Sequence, residues 1–234
     1  MNGLHAQEWT QVLRAGSWFA SLPPRLAEGL VALATLRRLG AGQRLFARGE
    51  PGDGIYCVLQ GTVRITGITR DGGEALLALL DAPQWFGEIA LFDDAPRTHD
   101  AWVEADAVLL HVAQPALQAL LDAHPEYWQA FGRLLAQKMR AMFSVLEDGA
   151  MLPASARVAS RLAAMADGFG VWHGRSKRIV RVSQGQLGLM LALSRQTVNQ
   201  SLKALEAAGA IRRCRGAVEI LDADRLLSFG AQGG

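Results

Sequence analysis

Short apolar segments separated by turn residues fill the chain from residue 37 to about residue 112. Segments 55–59, 63–66 and 75–80 are each rich in apolar residues, and glycine-containing turns lie between them. Several short segments at this spacing, bounded by turn residues, are typical of a β-sandwich or roll. The pattern therefore predicts a β-sandwich or roll over this part of the chain.

Helical patterns lie on both sides of this region. Residues 21–36 have apolar side chains at helical spacing behind a serine and two prolines, which predicts a short helix. From 125 to about 147, apolar residues recur every three or four positions, which predicts a long amphipathic helix. Its apolar stripe consists of Trp128, Phe131, Leu135, Met139, Met142 and Leu146.

A helix of about 20 residues is about 30 Å long. A stripe of that length suits pairing with the same helix of a second subunit, so these six residues are predicted to form a dimer interface. The alternative is that the stripe packs on its own β-region, and both contacts are compatible if they use different faces of the helix.

The remaining chain is predicted to hold a helix at 154–166, short helices at 183–192 and 194–208, and a hairpin at 211–221. The two short helices are joined by a tight turn, as in a helix-turn-helix motif. Ser194 is suited to cap the second of them.

Apolar residues Val198, Leu202 and Leu205 form the predicted buried face of that second helix. Its exposed face is expected to be polar, and its first turns are the part that a recognition helix presents to base edges. Arginine binds guanine O6 and N7, and glutamine or asparagine binds adenine N6 and N7. The predicted DNA-binding residues are Ser194, Arg195, Gln196, Thr197, Asn199 and Gln200, of which Thr197 is assigned to a phosphate or the cap.

Charge divides the chain into two unlike parts. Residues 1–150 carry 12 Lys+Arg and 17 Asp+Glu, a net charge of −5, whereas residues 151–234 carry 12 and 5, a net charge of +7. This asymmetry predicts that the C-terminal part binds a polyanion. Arg212 and Arg213, with Arg215, give the hairpin a basic character and are predicted to contact phosphates. For the two short helices, the alternative is an ordinary helical hairpin whose polar face is solvated and binds no DNA.

Composition excludes several other classes. Half of the 234 residues are hydrophobic, no apolar run reaches the roughly 20 residues of a membrane span, and no signal peptide is recognised, so we expect a cytoplasmic globular protein. Cys57 and Cys214 lie far apart, which argues against a structural zinc or iron–sulfur site. The sequence contains no nucleophile-base set and no P-loop, so no enzymatic activity and no required cofactor are predicted.

Two motifs resemble the Crp/Fnr family of transcription regulators, named after the cyclic-AMP receptor protein and the fumarate–nitrate regulator. One runs from Ser194 through Gln200 into Leu-Lys-Ala-Leu-Glu, and the other is Phe-Gly-Glu-Ile-Ala-Leu-Phe-Asp-Asp-Ala-Pro-Arg-Thr, which ends at Thr98. The resemblance implies an α+β fold with a cyclic-nucleotide-binding-like β-roll (1–124), a dimerisation helix and hinge (125–150) and a winged helix-turn-helix (151–234).

In cyclic-nucleotide-binding members of this family the second motif is the phosphate-binding cassette. By resemblance, the Gly87 backbone approaches the sugar-phosphate, Glu88 accepts the ribose hydroxyl, Arg97 pairs with the phosphate and Thr98 supplies a hydroxyl, with Ile89 in the same cassette. A buried anion needs such a guanidinium fork and close backbone approach. The alternative is that Glu88 and Arg97 pair with each other in an empty roll.

The implied effector is cyclic AMP, with cyclic GMP, cyclic di-GMP, another small anion or no ligand as alternatives. The chain departs from the cyclic-AMP receptor by about two extra residues after Thr98. Met142 and Phe143 are apolar at effector positions where that receptor offers hydroxyls to adenine. Gln196 and Gln200 replace a glutamate and an arginine, so a different DNA site is expected. Haem sensing through His99 or His111 is a further alternative.

The expected mechanism is a two-state homodimer whose recognition helices lie about 34 Å apart on near-palindromic double-stranded DNA. RNA polymerase is an expected partner, through residues 169–176. The competing functional class is a cyclic-nucleotide-binding regulatory module without DNA binding, which would not need the recognition helix or the basic hairpin.

Overall fold

The computed structural model describes residues 9–68, 72–168 and 178–231, which fall into two compact units, Met1–Gln137 and Lys138–Gly234. The loop at 169–176, expected to contact RNA polymerase, lies outside the described residues. No helix in the described ranges is long and apolar enough to cross a membrane.

Antiparallel strands form the sheet of the first unit. The strands are β1 (Thr35–Leu39), β2 (Arg44–Phe46), β3 (Gly54–Ile68), β4 (Glu74–Asp81), β5 (Trp85–Phe86) and β6 (Asp100–Ala113). The main order is β1-β6-β3-β4, while β2 pairs with β6 and β5 pairs with β3. The two long strands β3 and β6 pair from Gly54–Ala113 to Thr66–Asp100 and are the two central strands of the sheet.

Short helices flank this sheet. They are α1 (Thr10–Arg14), α2 (Ser17–Ala20), α3 (Pro24–Leu33), α4 (Ala90–Asp93) and α5 (Gln114–Ala123). A 3-10 turn at Pro125–Tyr127 leads into the long helix α6 (Trp128–Met151), which runs four residues beyond the predicted end at 147. The helix predicted at 21–36 spans only Pro24–Leu33, and Thr35 and Leu36 belong to β1 instead. Its start at Pro24 agrees with the preference for proline in the first turn of a helix.

The hydrophobic core of the first unit lies on both faces of the sheet. Alternate residues of β3 separate the two faces, with Ile55 and Cys57 packed toward the helices and Tyr56 and Val58 toward the interior of the roll. On the helical side, the ring of Trp18 lies 5.2 Å from that of Trp85. Burial on both faces fixes the register of β3, because a slip by one residue would exchange the two sets.

The second unit is a winged helix-turn-helix. Its elements after α6 are α7 (Ala154–Ala166), β7 (Ile179–Val180), α8 (Gln184–Leu191), α9 (Arg195–Ala207), β8 (Ile211–Cys214), β9 (Ala217–Ile220) and α10 (Ala223–Ala231). The strands pair in the order β7-β9-β8, so the predicted hairpin is the wing. The predicted fold class, with a β-roll, a long helix and a winged helix-turn-helix, is confirmed.

Candidate functional site

The cassette motif forms the connection between β5 and β6. Gly87 has φ +91°, and a Cβ atom there would lie 2.8 Å from Nη1 of Arg97, so glycine is required. After α4, Asp94 adopts the left-handed conformation with φ 52°. The backbone N–H of Arg97 then donates to the carbonyl of Glu50 (2.8 Å), and its carbonyl accepts from the N–H of Gly49 (2.8 Å). The cassette is therefore closed onto the turn before β3.

Arg97 lies at the centre of this site, with a side chain only 4% exposed. Its Nη1 donates to the carbonyl of Gly87 (2.8 Å), and its Nη2 donates to the carbonyl of Gly54 (2.7 Å) and to Oδ1 of Asp53 (2.6 Å). The guanidinium also lies 4.3 Å from the centre of the Phe46 ring. Within the described chain its Nε–H has no acceptor. Among the described residues, the structure thus brings Gly87 and Arg97 together and leaves the guanidinium Nε–H without an acceptor.

Asp53 is a candidate functional residue that the sequence analysis missed. The Tyr56 hydroxyl donates to its carboxylate, and Arg37 lies 3.9 Å away. Burial alone would raise the pKa of Asp53, but the hydrogen bonds from Tyr56 and Arg97, with the charges of Arg97 and His111, lower it below its ordinary value of 3.8. Asp53 therefore stays ionised and compensates the buried guanidinium.

The other predicted cassette residues differ in exposure. Glu88 is buried, at 2% exposure, whereas Ile89 and Thr98 lie at the surface. The ion pair of Arg97 is made with Asp53 and not with Glu88, so the alternative of a Glu88–Arg97 pair is wrong. The sequence gives no local signal for Asp53, since it lies 44 positions from Arg97.

Both histidines considered as haem ligands already have protein partners. The His111 ring stacks on Tyr56 at 4.4 Å, and its Nε2 lies 3.1 Å from the backbone oxygen of Asp53. Burial, with the charge of Arg37, lowers the pKa of His111 below its ordinary value. His99 contacts the Thr98 hydroxyl through Nδ1 at 2.9 Å. Each histidine thus uses one ring nitrogen in a contact within the protein.

The stripe predicted along α6 is divided between two environments. Trp128 packs against Phe92 of the cassette at 5.3 Å, Phe131 is completely buried in the core of its own unit, and Leu135 is half-buried. The interface position predicted for Phe131 is therefore corrected, because no surface of its side chain is left for a second chain. Five large apolar side chains in the second unit are exposed on α6, namely Met139, Met142, Phe143, Leu146 and Met151.

The helix-turn-helix is held by caps and a close turn. The Ser183 side chain accepts from the Gln186 N–H (3.2 Å), and the Gln186 side chain accepts from the Ser183 N–H (2.8 Å). The Leu193 N–H donates to the carbonyl of Gly188 (3.0 Å), where a Cβ atom would lie 2.9 Å from the Leu193 oxygen. α8 and α9 are therefore joined by a turn that requires glycine at 188.

The predicted DNA-binding residues of α9 and its N-cap fall into three groups. Arg195, Gln196 and Gln200 are exposed, opposite the buried residues of the helix. Ser194 instead accepts from the Thr197 N–H at 3.0 Å, so both of these residues serve the cap. Asn199 is half-buried and is hydrogen-bonded to Gln184 of α8 at 3.2 Å, a contact that the sequence did not indicate.

The arginines of the wing differ in how far their charge is compensated. Arg213 pairs with Glu206 at 2.6 Å, and Arg212 pairs with Glu219 at 2.9 Å. Hydrogen bonds from the backbone and side chain of Arg213 lower the pKa of Glu206. Arg215 is exposed at the hairpin turn, and no carboxylate among the described residues pairs with it. Arg215 is thus the wing cation most available for a phosphate.

The lowered pKa of Asp53 predicts a pH dependence of stability. Asp53 contributes stability above its unfolded pKa, and this contribution is lost as the pH falls through the lower folded value. We expect Asp53→Asn to be less stable at neutral pH, because Arg97 loses its counter-charge, and to lose less stability on acidification. Urea unfolding across a pH series measures both effects. Asp122→Asn, at an exposed carboxylate, is the matched control, and identical acid profiles for Asp53→Asn and the unmutated protein would contradict the assignment.

Two family profiles match the chain over the regions just described. The profile described as "Cyclic nucleotide-binding domain" matches residues 36–124, and that described as "Crp-like helix-turn-helix domain" matches residues 156–229. The first match contains the cassette and Arg97, and the second contains α8, α9 and the wing.

Among curated proteins, the "CRP-like cAMP-activated global transcriptional regulator" of Mycobacterium tuberculosis is 32% identical over 186 residues, covering 79% of this chain and 83% of its own. The "Cyclic AMP receptor protein" of Thermus thermophilus is 28% identical over 221 residues, covering 93% and 99%. The solved structure of FixK2 from Bradyrhizobium japonicum has a TM-score of 0.74 at 19% identity, covers 86% of this chain and 99% of its own, and shares the fold.

Proposed function

Because this chain belongs to the Crp/Fnr family of DNA-binding transcription regulators, we propose that it reads a near-palindromic DNA site as a homodimer controlled by a small anionic effector. It would act on DNA in the cytoplasm. The relatives are transcription regulators rather than enzymes, and the cassette residues of this chain are suited to binding rather than turnover.

The exposed polar row on α9 is the observation that carries this proposal. Arg195, Gln196 and Gln200 project from the first turns of a helix whose opposite face is buried. These are the side chains that discriminate guanine and adenine in the major groove, and the first turns of a recognition helix are those that meet the bases. Gln196 and Gln200 favour adenine, so we expect a site that differs from that of relatives with charged residues there.

Phosphate contacts would come from cations that lack an internal counter-charge. Among the described residues, Arg195, Lys203 and Arg215 have no paired carboxylate, whereas Arg212 and Arg213 are paired with Glu219 and Glu206. A paired arginine must give up its partner before it binds DNA. We therefore propose that Arg215 contributes more to phosphate binding than Arg213, while Arg213 mainly fixes the wing against α9.

The buried guanidinium of Arg97 supports an effector that carries a phosphate. Its fork of donors matches a phosphate, and the Nε–H has no acceptor in the described chain. Asp53 already occupies one edge of the guanidinium, so a bound phosphate would displace that carboxylate or share the cation with it. The M. tuberculosis relative is described as cAMP-activated, and we propose cyclic AMP for this chain, with cyclic GMP and cyclic di-GMP as alternatives.

The other predicted effector-binding residues would also contact a bound nucleotide. Glu88, buried beside the glycine of the motif, would accept the ribose hydroxyl, and Thr98 would donate its hydroxyl to the phosphate. Met142 and Phe143 have no hydrogen-bonding group in their side chains, so a base placed beside them would be held by apolar contact alone. Discrimination between adenine and guanine effectors is therefore expected to be weak at these two positions.

The alternative is a regulator of the same fold without a nucleotide ligand. The Arg97–Asp53 pair favours it, because the pair already supplies an anion to the buried cation. In this case Asp53 would be a permanent structural partner of the cassette. The regulator with a nucleotide effector is expected to bind a nucleotide, and the regulator without one is not.

The exposed stripe of α6 supports the homodimer. Met139, Met142 and Leu146 follow one another at intervals of three and four residues, and each is about half exposed or more. The helix has 24 residues, or about 36 Å of length, and such an apolar row is stabilised by pairing with its own copy. A two-fold dimer would present two α9 helices and would therefore bind a near-palindromic site. RNA polymerase remains a proposed partner through residues 169–176.

Calorimetric titration with cyclic AMP, cyclic GMP and cyclic di-GMP tests the effector. We expect saturable binding of cyclic AMP, lost in Arg97→Ala and weakened in Arg97→Lys, which keeps the charge but not the fork. Arg44→Ala, at an exposed arginine of the same sheet, should bind normally, and circular dichroism checks that each variant is folded. Absence of binding by all three nucleotides would favour the regulator without a nucleotide ligand.

Replacement of Met142 by Glu tests the homodimer. An unpaired carboxylate in an apolar seam should weaken self-association by at least about tenfold. Ser144→Glu adds the same charge at an exposed position of α6 and should associate like the unmutated protein. Sedimentation velocity over a concentration series measures the change. Equal association of the two variants would contradict pairing through the stripe.

Arginine substitutions separate base reading from phosphate binding. Arg195→Ala should weaken binding to the preferred site by about 1–3 kcal/mol of binding free energy and relax the sequence preference of the protein. Arg215→Ala should weaken binding to all sequences alike and reduce the slope of log affinity against log salt by about 1, with a smaller change for Arg213→Ala. Fluorescence anisotropy on preferred and random duplexes provides both quantities. Equal losses on the two duplexes for Arg195→Ala would contradict base reading by this residue.

A further inference from the structure

A side chain from α8 holds the amide group of Asn199. The Nδ2 group of Asn199 donates to Oε1 of Gln184 at 3.2 Å. Gln184 is the first residue of α8, and Asn199 is the fifth residue of α9. Both side chains are half-buried, so the bond joins the two helices of the motif at the edge of the polar face of α9.

Neighbouring polar residues are used differently. Ser183 and Gln186 form the capping box of α8, and Ser194 caps α9 through the backbone of Thr197. In the described chain, by contrast, Gln184 and Asn199 have each other as polar side-chain partners and no others. Their bond is therefore not required for either cap.

The stereochemistry of an amide gives this bond a consequence for base reading. An asparagine amide has two N–H donors and one carbonyl acceptor. Adenine is read when the carbonyl accepts from N6 and one N–H donates to N7. The bond to Gln184 occupies one hydrogen and leaves the other, together with Oδ1, for the base. With the Gln184 carbonyl in this position, reversal of the Asn199 amide alone would place two carbonyl oxygens against each other, which disfavours that orientation.

From this geometry we infer that Gln184 is a positioning residue that holds the Asn199 amide for reading adenine at one position of each half-site. The inference rests on the proposed role of α9 as the recognition helix. Gln184 itself contacts no base, and its effect passes through Asn199. A site oriented by a supporting hydrogen bond is more selective than one whose amide rotates freely.

Selection from a randomised duplex library with the full-length chain, with and without cyclic AMP, identifies the preferred site and the base pair that depends on Asn199. We expect Asn199→Ala to lose the preference for adenine there. Gln184→Ala should reduce discrimination between adenine and guanine at this base pair by about tenfold and leave the other positions unchanged. The double variant should discriminate no worse than Asn199→Ala, since the two residues act as one unit.

Two variants separate positioning from folding and charge. Gln184→Glu keeps an acceptor for the Asn199 amide, so it should retain the adenine preference while its negative charge weakens binding to every sequence. Gln186→Ala removes the neighbouring capping contact and should lower stability without changing the preference profile. Anisotropy measurements on duplexes changed at one base pair at a time compare all variants.

The outcomes separate this inference from the function on which it rests. If a motif is enriched but Gln184→Ala has the same preference profile, or weakens all sequences equally, Gln184 does not position Asn199 and only the inference fails. If selection with the unmutated protein enriches no motif, the proposed sequence-specific reading by α9 fails, and the inference fails with it.

Discussion

Burial of the Arg97 guanidinium is the constraint on which the first unit depends. A charge that is 4% exposed is costly unless it is paired and hydrogen-bonded. Asp53, two backbone carbonyls at Gly54 and Gly87, and the ring of Phe46 together compensate it. These groups come from the turn before β3, from the first residue of β3, from the cassette and from β2. The strands of the roll and the glycines at 54 and 87 are therefore arranged so that these groups surround the guanidinium.

The same arrangement suggests how occupancy of the roll becomes a signal. A phosphate and the Asp53 carboxylate would compete for one guanidinium, so binding would exchange one anion for another rather than fill an uncompensated site. The cassette that carries Arg97 also carries Phe92, whose ring lies 5.3 Å from Trp128 at the start of α6. An effector alters DNA binding only if it favours one of two conformations, and this contact is a place where such a preference can reach the long helix.

Local sequence patterns predicted the fold, whereas the candidate site depends on contacts between residues far apart in the sequence. The roll and the helix-turn-helix follow from periodicity and turn residues close together in sequence. The Arg97–Asp53 pair joins residues 44 positions apart, so no periodic pattern in the sequence indicates it. Helical period placed Phe131 on the apolar stripe of α6, but period cannot tell whether the covering partner is the chain's own core. Similarly, composition marked the wing arginines as basic, whereas their availability depends on Glu206 and Glu219.

Measurement of DNA affinity with and without a saturating nucleotide tests the proposed link between the roll and α9 most directly. The full-length chain is titrated with its selected duplex and with a random duplex, in the presence of cyclic AMP, cyclic GMP or cyclic di-GMP. The proposal predicts that one nucleotide raises affinity for the selected duplex, and that this duplex raises affinity for that nucleotide by the same factor, as linkage requires. An unchanged DNA affinity with all three nucleotides, or an equal change on both duplexes, would contradict it.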